Sequence, residues 1–66
     1  MSFEYIRRYY NVPAKRAGRV AWDTSKGTRE GTITSATSYV YVRFDDAKYS
    51  VPLHPKETGL RYLPPN

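Results

Sequence analysis

Near the amino terminus the apolar positions fall at helical spacing. Phe3, Ile6 and Tyr10 stand at i, i+3 and i+7, and Tyr5 and Tyr9 form an i, i+4 pair. This predicts a helix over residues 2–11, with Ser2 as its cap, Glu4 at the positive end of the dipole, and Arg7 and Arg8 towards the other end. Pro13 drives Val12 out of helical geometry, so the helix stops by Asn11. A helix this short does not persist alone and must dock its apolar stripe.

From Gly18 the period changes to two. In residues 19–22 Val20 and Trp22 share one face, and the polar residues 23–30 read as a loop. Residues 31–36 form a β-branched strand with Ile33 inward, followed by a turn at Thr37-Ser38. Residues 39–44 give the clearest alternation: Val40, Val42 and Phe44 on one face, Tyr39, Tyr41 and Arg43 on the other. After a hairpin loop at Asp45-Asp46-Ala47, residues 48–53 return with Tyr49, Val51 and Leu53 in phase, and Pro52 marks an edge or a bend. Residues 54–59 make a turn, residues 60–63 a fifth short strand, and Pro64-Pro65 a stop. The expected architecture is mainly β: one domain over residues 1–66, with a helix at 2–11 and a small closed five-stranded barrel at 18–63. Its expected core is Val20, Trp22, Ile33, Val40, Val42, Phe44, Val51, Leu60 and Tyr62.

Composition narrows the function. At 66 residues with no cysteine, the chain is not held by a disulfide framework or a cysteine–histidine zinc site. Seven tyrosines, two phenylalanines and one tryptophan argue against disorder. The only imidazole, His54, lies between Leu53 and Pro55 with no motif of nucleophilic catalysis around it. Asp45 and Asp46 are ordinary turn residues, and the four glycines stand apart, so no phosphate loop is present. The expectation is a non-enzymatic protein with no cofactor and no metal. No apolar run approaches signal-peptide or membrane-span length, and Asn11-Val12-Pro13 is not a glycosylation acceptor, so the expected location is cytoplasmic and away from membranes.

Eleven Lys and Arg against six acidic residues, a formal net charge of +5, favour an anionic partner, either nucleic acid or an acidic protein surface. The candidate contacts are Arg7, Arg8, Lys15, Arg16, Arg19, Lys26, Arg29 and Arg43, with Tyr39 and Tyr41 as stacking residues. For the arginines the competing interpretation is a solvated charged surface. For Tyr39 and Tyr41 it is a seat beneath the docked helix. A protein-interaction adaptor is the second functional expectation.

Ala17-Gly18-Arg19-Val20, a polar stretch, Glu30-Gly31-Thr32-Ile33 and a strand ending Val42-Arg43-Phe44-Asp45 together resemble the SH3-like barrels of the KOW type, over roughly residues 13–63. That resemblance implies a five-stranded SH3-like barrel that contacts RNA or protein through its loops. The Tyr-rich helix in front departs from the KOW pattern, and in size the chain resembles small proteins encoded by bacterial phages and prophages. Type II dihydrofolate reductases share the SH3-like fold and assemble a pore from four chains around a Val-Gln-Ile-Tyr strand. Here the corresponding stretches read Tyr49-Ser50-Val51-Pro52 or Leu60-Arg61-Tyr62-Leu63, and the chain contains no Gln, which makes that enzyme a remote alternative.

Overall fold

A computed structural model describes residues 3–64. Helix α1 (Phe3–Tyr10) leads into β1 (Arg19–Thr24), β2 (Gly27–Ala36), β3 (Val40–Phe44), β4 (Val51–Leu53) and β5 (Leu60–Tyr62). The strands form one antiparallel sheet in the order β4-β3-β2-β1-β5, with β4 and β5 as its two edges. The predicted cap, Ser2, lies outside the described residues. At its other end α1 stops where Asn11 turns to φ 57°, a left-handed conformation that asparagine tolerates.

Cross-strand register places the core on one face. Val20 opposes Gly31 and Tyr62, Gly31 opposes Phe44, Ile33 opposes Val42, and Val40 opposes Leu53. Gly31 is required there, because a Cβ at that position would lie 2.7 Å from Val42 Cγ1 and 2.9 Å from the Arg43 carbonyl oxygen. A bulge between Ile33 and Ser35 inserts Thr34, after which Ala36 opposes Val40 on the inward face. Ile6 and Ala14 join Val20, Ile33, Val40, Val42, Phe44 and Leu53 in a single buried cluster. Helix α1 therefore docks on the sheet face that carries this core, and the sheet itself is open, since β4 and β5 do not pair. Tyr39 and Tyr41 are not its seat: Tyr41 opposes Ser35 and Pro52 on the far side of the sheet, and Tyr39 is exposed. Ile6 settles where apolar side chains converge, and the far face of β1, β2 and β3 carries charge.

Three expectations change. Residues 23–30 do not form a loop; they extend β1 and β2 into a ribbon that pairs Trp22 with Arg29, Asp23 with Thr28 and Thr24 with Gly27. Both faces of its tip are solvated, so the sequence there lacks the alternation that marks a half-buried strand. The turn is closed by Thr24 Oγ1, which donates to the Gly27 carbonyl at 2.8 Å, with Gly27 at φ 124°. Residues 48–50 lie outside any strand, with a bend at 48 and 49, which leaves β4 only three residues long. Tyr49 is 79% and Val51 40% exposed, because on this short edge strand only Leu53 reaches the core. Trp22, Leu60 and Tyr62 are half-buried at the margin. There Trp22 stacks on Phe44 at 5.8 Å and its Nε1 donates to the Thr58 carbonyl at 3.0 Å. Tyr62 donates its hydroxyl to the Pro55 carbonyl at 2.8 Å, and burial pushes its pKa up to about 12.

Candidate binding surface

The candidate cations separate into two sets according to what each guanidinium meets. On the outward face of β1–β2–β3, Arg19 binds Asp45 through two parallel bonds of 2.8 Å, reaches Glu30 at 3.3 Å and donates to Thr32 Oγ1 at 2.9 Å. Arg61, which was not among the expected contacts, binds Asp23 through Nε at 2.9 Å and Nη2 at 3.2 Å. Arg29 holds Asp46 at 3.0 Å while its guanidinium lies over the Phe44 ring at 4.2 Å. The Arg19 hydrogen bond holds the Asp45 carboxyl below its ordinary range. The bonds from Arg61 and Thr28 do the same for Asp23, and the bond from Arg29 for Asp46. Arg19 and Arg61 are raised in turn, chiefly by the hydrogen bonds to these same carboxylates.

Around α1 and the segment that follows it the partners differ. Arg7 Nη1 donates to the Ala14 carbonyl at 2.7 Å, and Arg16 Nη1 donates to the Thr34 carbonyl at 2.8 Å, with its guanidinium 5.7 Å from the Phe3 ring centroid. Lys15 lies next to Arg16 in sequence and is exposed. A carbonyl fixes a guanidinium without cancelling its charge, and each of these arginines keeps further N–H donors for a ligand. Among the described residues neither arginine, nor Lys15, has a carboxylate within ion-pair distance. A cleft of about 370 Å³ opens beside Lys15, with Pro13, Gly18, Arg19, Ile33, Tyr62, Leu63 and Pro64 also in its lining.

The ten expected contacts are thus not one patch. Arg7 lies on α1, and Lys15 and Arg16 lie on the segment that follows it. Arg8 pairs with Glu4 at 3.2 Å on the solvent side of α1. Arg19 and Arg29 are committed to carboxylates. Lys26 sits at the tip of the β1–β2 ribbon, and Arg43 lies on the outward face opposite Thr32. Tyr41 is half-buried and Tyr39 exposed at the start of β3.

A run of rings was not among the expected contacts. Tyr5 and Tyr9 stack at 5.5 Å with planes 11° apart, Tyr9 meets Tyr10 edge-on at 4.9 Å, and Tyr10 meets His54 edge-on at 5.0 Å. Its first pair was visible as the i, i+4 tyrosines, but the step to His54 crosses 44 residues of sequence and depends on the fold. His54 Nδ1 accepts the Lys56 backbone N–H at 3.0 Å, a turn-forming role.

Among the described residues no three His, Cys, Asp or Glu side chains are grouped to hold a metal ion, and no helix is long and apolar enough to cross a membrane. Compared with protein-family models, curated proteins and solved structures, the chain matches none.

Proposed function

We propose that this chain is a non-enzymatic nucleic-acid-binding module built on an SH3-like barrel. The antiparallel run β4-β3-β2-β1, with the last strand returning to pair β1, supports the barrel assignment. One observation carries the functional reading: Arg7 and Arg16 are anchored on backbone carbonyls instead of carboxylates, and Lys15 precedes Arg16 in the same segment. The ion pairs elsewhere consume five of the six carboxylates, so the net positive charge of the chain falls on cations such as these. Phosphates would replace the water around positioned, uncancelled guanidiniums, and backbone contacts of this kind do not select sequence. An acidic protein surface is the competing partner.

Titration of a labelled duplex followed by fluorescence anisotropy at several salt concentrations tests this. If three or four cations act together, the log–log salt slope is about −3 to −4, at roughly −0.9 per phosphate. No anisotropy change at high protein concentration and low salt, with duplex or single strand, excludes nucleic acid and leaves the acidic protein surface.

A further inference from the structure

The ring ladder Tyr5–Tyr9–Tyr10–His54 is a surface that the basic cluster does not account for. The inward stripe of α1 already seats Ile6 in the core and packs Phe3 and Tyr10 against it. Tyr5 and Tyr9 contribute little to that packing: Tyr9 is 68% exposed and Tyr5 38%. Two neighbouring aromatic side chains held nearly parallel in solvent have no folding task that a leucine or a glutamate would not serve as well. The other exposed large hydrophobic residues of the described chain are Tyr39, Tyr49 and Val51, so the exposed apolar surface is almost wholly tyrosine. An aliphatic groove that would receive a protein helix is not what these residues offer. They offer π faces with polar rims.

The electrostatic setting points the same way. The only carboxylate on α1, Glu4, is neutralised by Arg8 at 3.2 Å. Lys56 follows His54 at the far end of the ladder and holds it through its backbone N–H, and Arg7 keeps its charge on the same helix. A ligand with flat rings and a repeating negative charge matches both features, whereas a duplex keeps its base faces stacked inside and offers only the charge. Resting on the nucleic-acid reading above, we propose that the Tyr5–Tyr9–Tyr10–His54 ladder is a stacking platform that makes the protein select single-stranded nucleic acid over duplex. The bases stack on the exposed tyrosine rings, and the backbone runs towards the uncancelled cations of the helix and its following segment.

The test compares a fluorescein-labelled oligothymidine of about 12 nucleotides, within the span that small single-strand-binding folds occupy, with a duplex of the same length. The proteins are the wild type, Tyr9→Phe, Tyr9→Leu and Tyr9→Ala, each checked for folding by circular dichroism. Tyr9→Phe keeps the π face and binds as the wild type does. Tyr9→Leu keeps apolar bulk without the π face; it and Tyr9→Ala lose about 5- to 150-fold in affinity for the single strand, the range set by one stacked base. Duplex affinity is unchanged in all three variants. If Tyr9→Leu or Tyr9→Ala binds the single strand like the wild type, the platform is refuted while the basic surface stands. If the wild type binds neither probe, the nucleic-acid reading fails and the platform fails with it. Tyr5→Leu, on the adjacent ring, supplies the same comparison should a Tyr9 variant lose its helix.

Discussion

Arg19 and Arg16 are three residues apart, yet their guanidiniums end in opposite circumstances. Arg19 projects from the outward face of β1 and meets Asp45 and Glu30, carboxylates from the end of β3 and from β2. Arg16 lies before β1 and reaches a backbone carbonyl, Thr34 O, at the bulge of β2 and the Phe3 ring, but no carboxylate among the described residues. The difference spreads to whole regions. The sheet's outward face, with Arg19 and Arg61, is close to neutral by pairing, and Arg29 at the core margin is paired with Asp46, while Arg7, Lys15 and Arg16 on the helix and the segment after it keep their charge. Exposed ion pairs add little stability, so the pairing matters mainly for where the field of the molecule points. A net charge of +5 says nothing about direction, and the distribution of partners supplies it.

The two regions share one core, and the largest expected effect removes both. Val42→Asp places an unpaired charge where no polar partner exists, at a cost of several kcal/mol, against a stability of about 5 kcal/mol in a domain this small. Far-UV circular dichroism should show an unfolded chain; a native spectrum would refute the inward assignment of β3. Ile6→Ala is smaller and one-sided, since it loosens the helix and leaves the sheet register intact. Urea denaturation should show a loss of about 2–5 kcal/mol, with α1 amides exchanging before those of β2 and β3.

Affinity separates the regions more sharply than stability does. Arg16→Ala should weaken duplex binding to a similar degree for every sequence and reduce the salt slope by about 0.9. Asp45→Asn should do the reverse, because it releases Arg19 from its strongest partner: duplex affinity rises and the salt slope steepens. If both variants shift affinity in the same direction, the contrast between paired and unpaired cations is wrong.

Acid and alkali give the smallest effects. Asp23, Asp45 and Asp46 have folded-state pKa values below their unfolded ones, so their contribution is present above the ordinary carboxylate value and is lost as the pH falls through the folded values. Melting temperature should therefore decline below about pH 4, and Asp45→Asn should flatten that decline. Tyr62 has the opposite sign: its folded pKa is raised to about 12, so its contribution is present below the unfolded value and is lost as the pH rises from about 10 towards 12. An ultraviolet phenolate titration should find one tyrosine ionising late, and Tyr62→Phe should abolish that late step.

Local rules carried much of this fold. Alternation in β3 gave Val40, Val42 and Phe44 as core, and the i, i+3, i+7 stripe gave a helix that docks, because periodicity reports directly which side chains must leave water. The β1–β2 ribbon was not legible, since strands solvated on both faces carry no alternation to read. The exposure of Tyr49 and Val51 was also hidden, because phase along a strand says which face a residue takes but not whether anything covers that face. For the candidate binding surface, sequence supplied the residue types and the excess of positive charge, which are sums over the chain. Tertiary structure alone decided which arginines are cancelled and which rings meet: Arg19 finds Asp45 across 26 residues, and Tyr10 finds His54 across 44. Those pairings follow from strand order and helix docking, and Coulomb attraction and stacking act over a few ångströms of space whatever the separation along the chain.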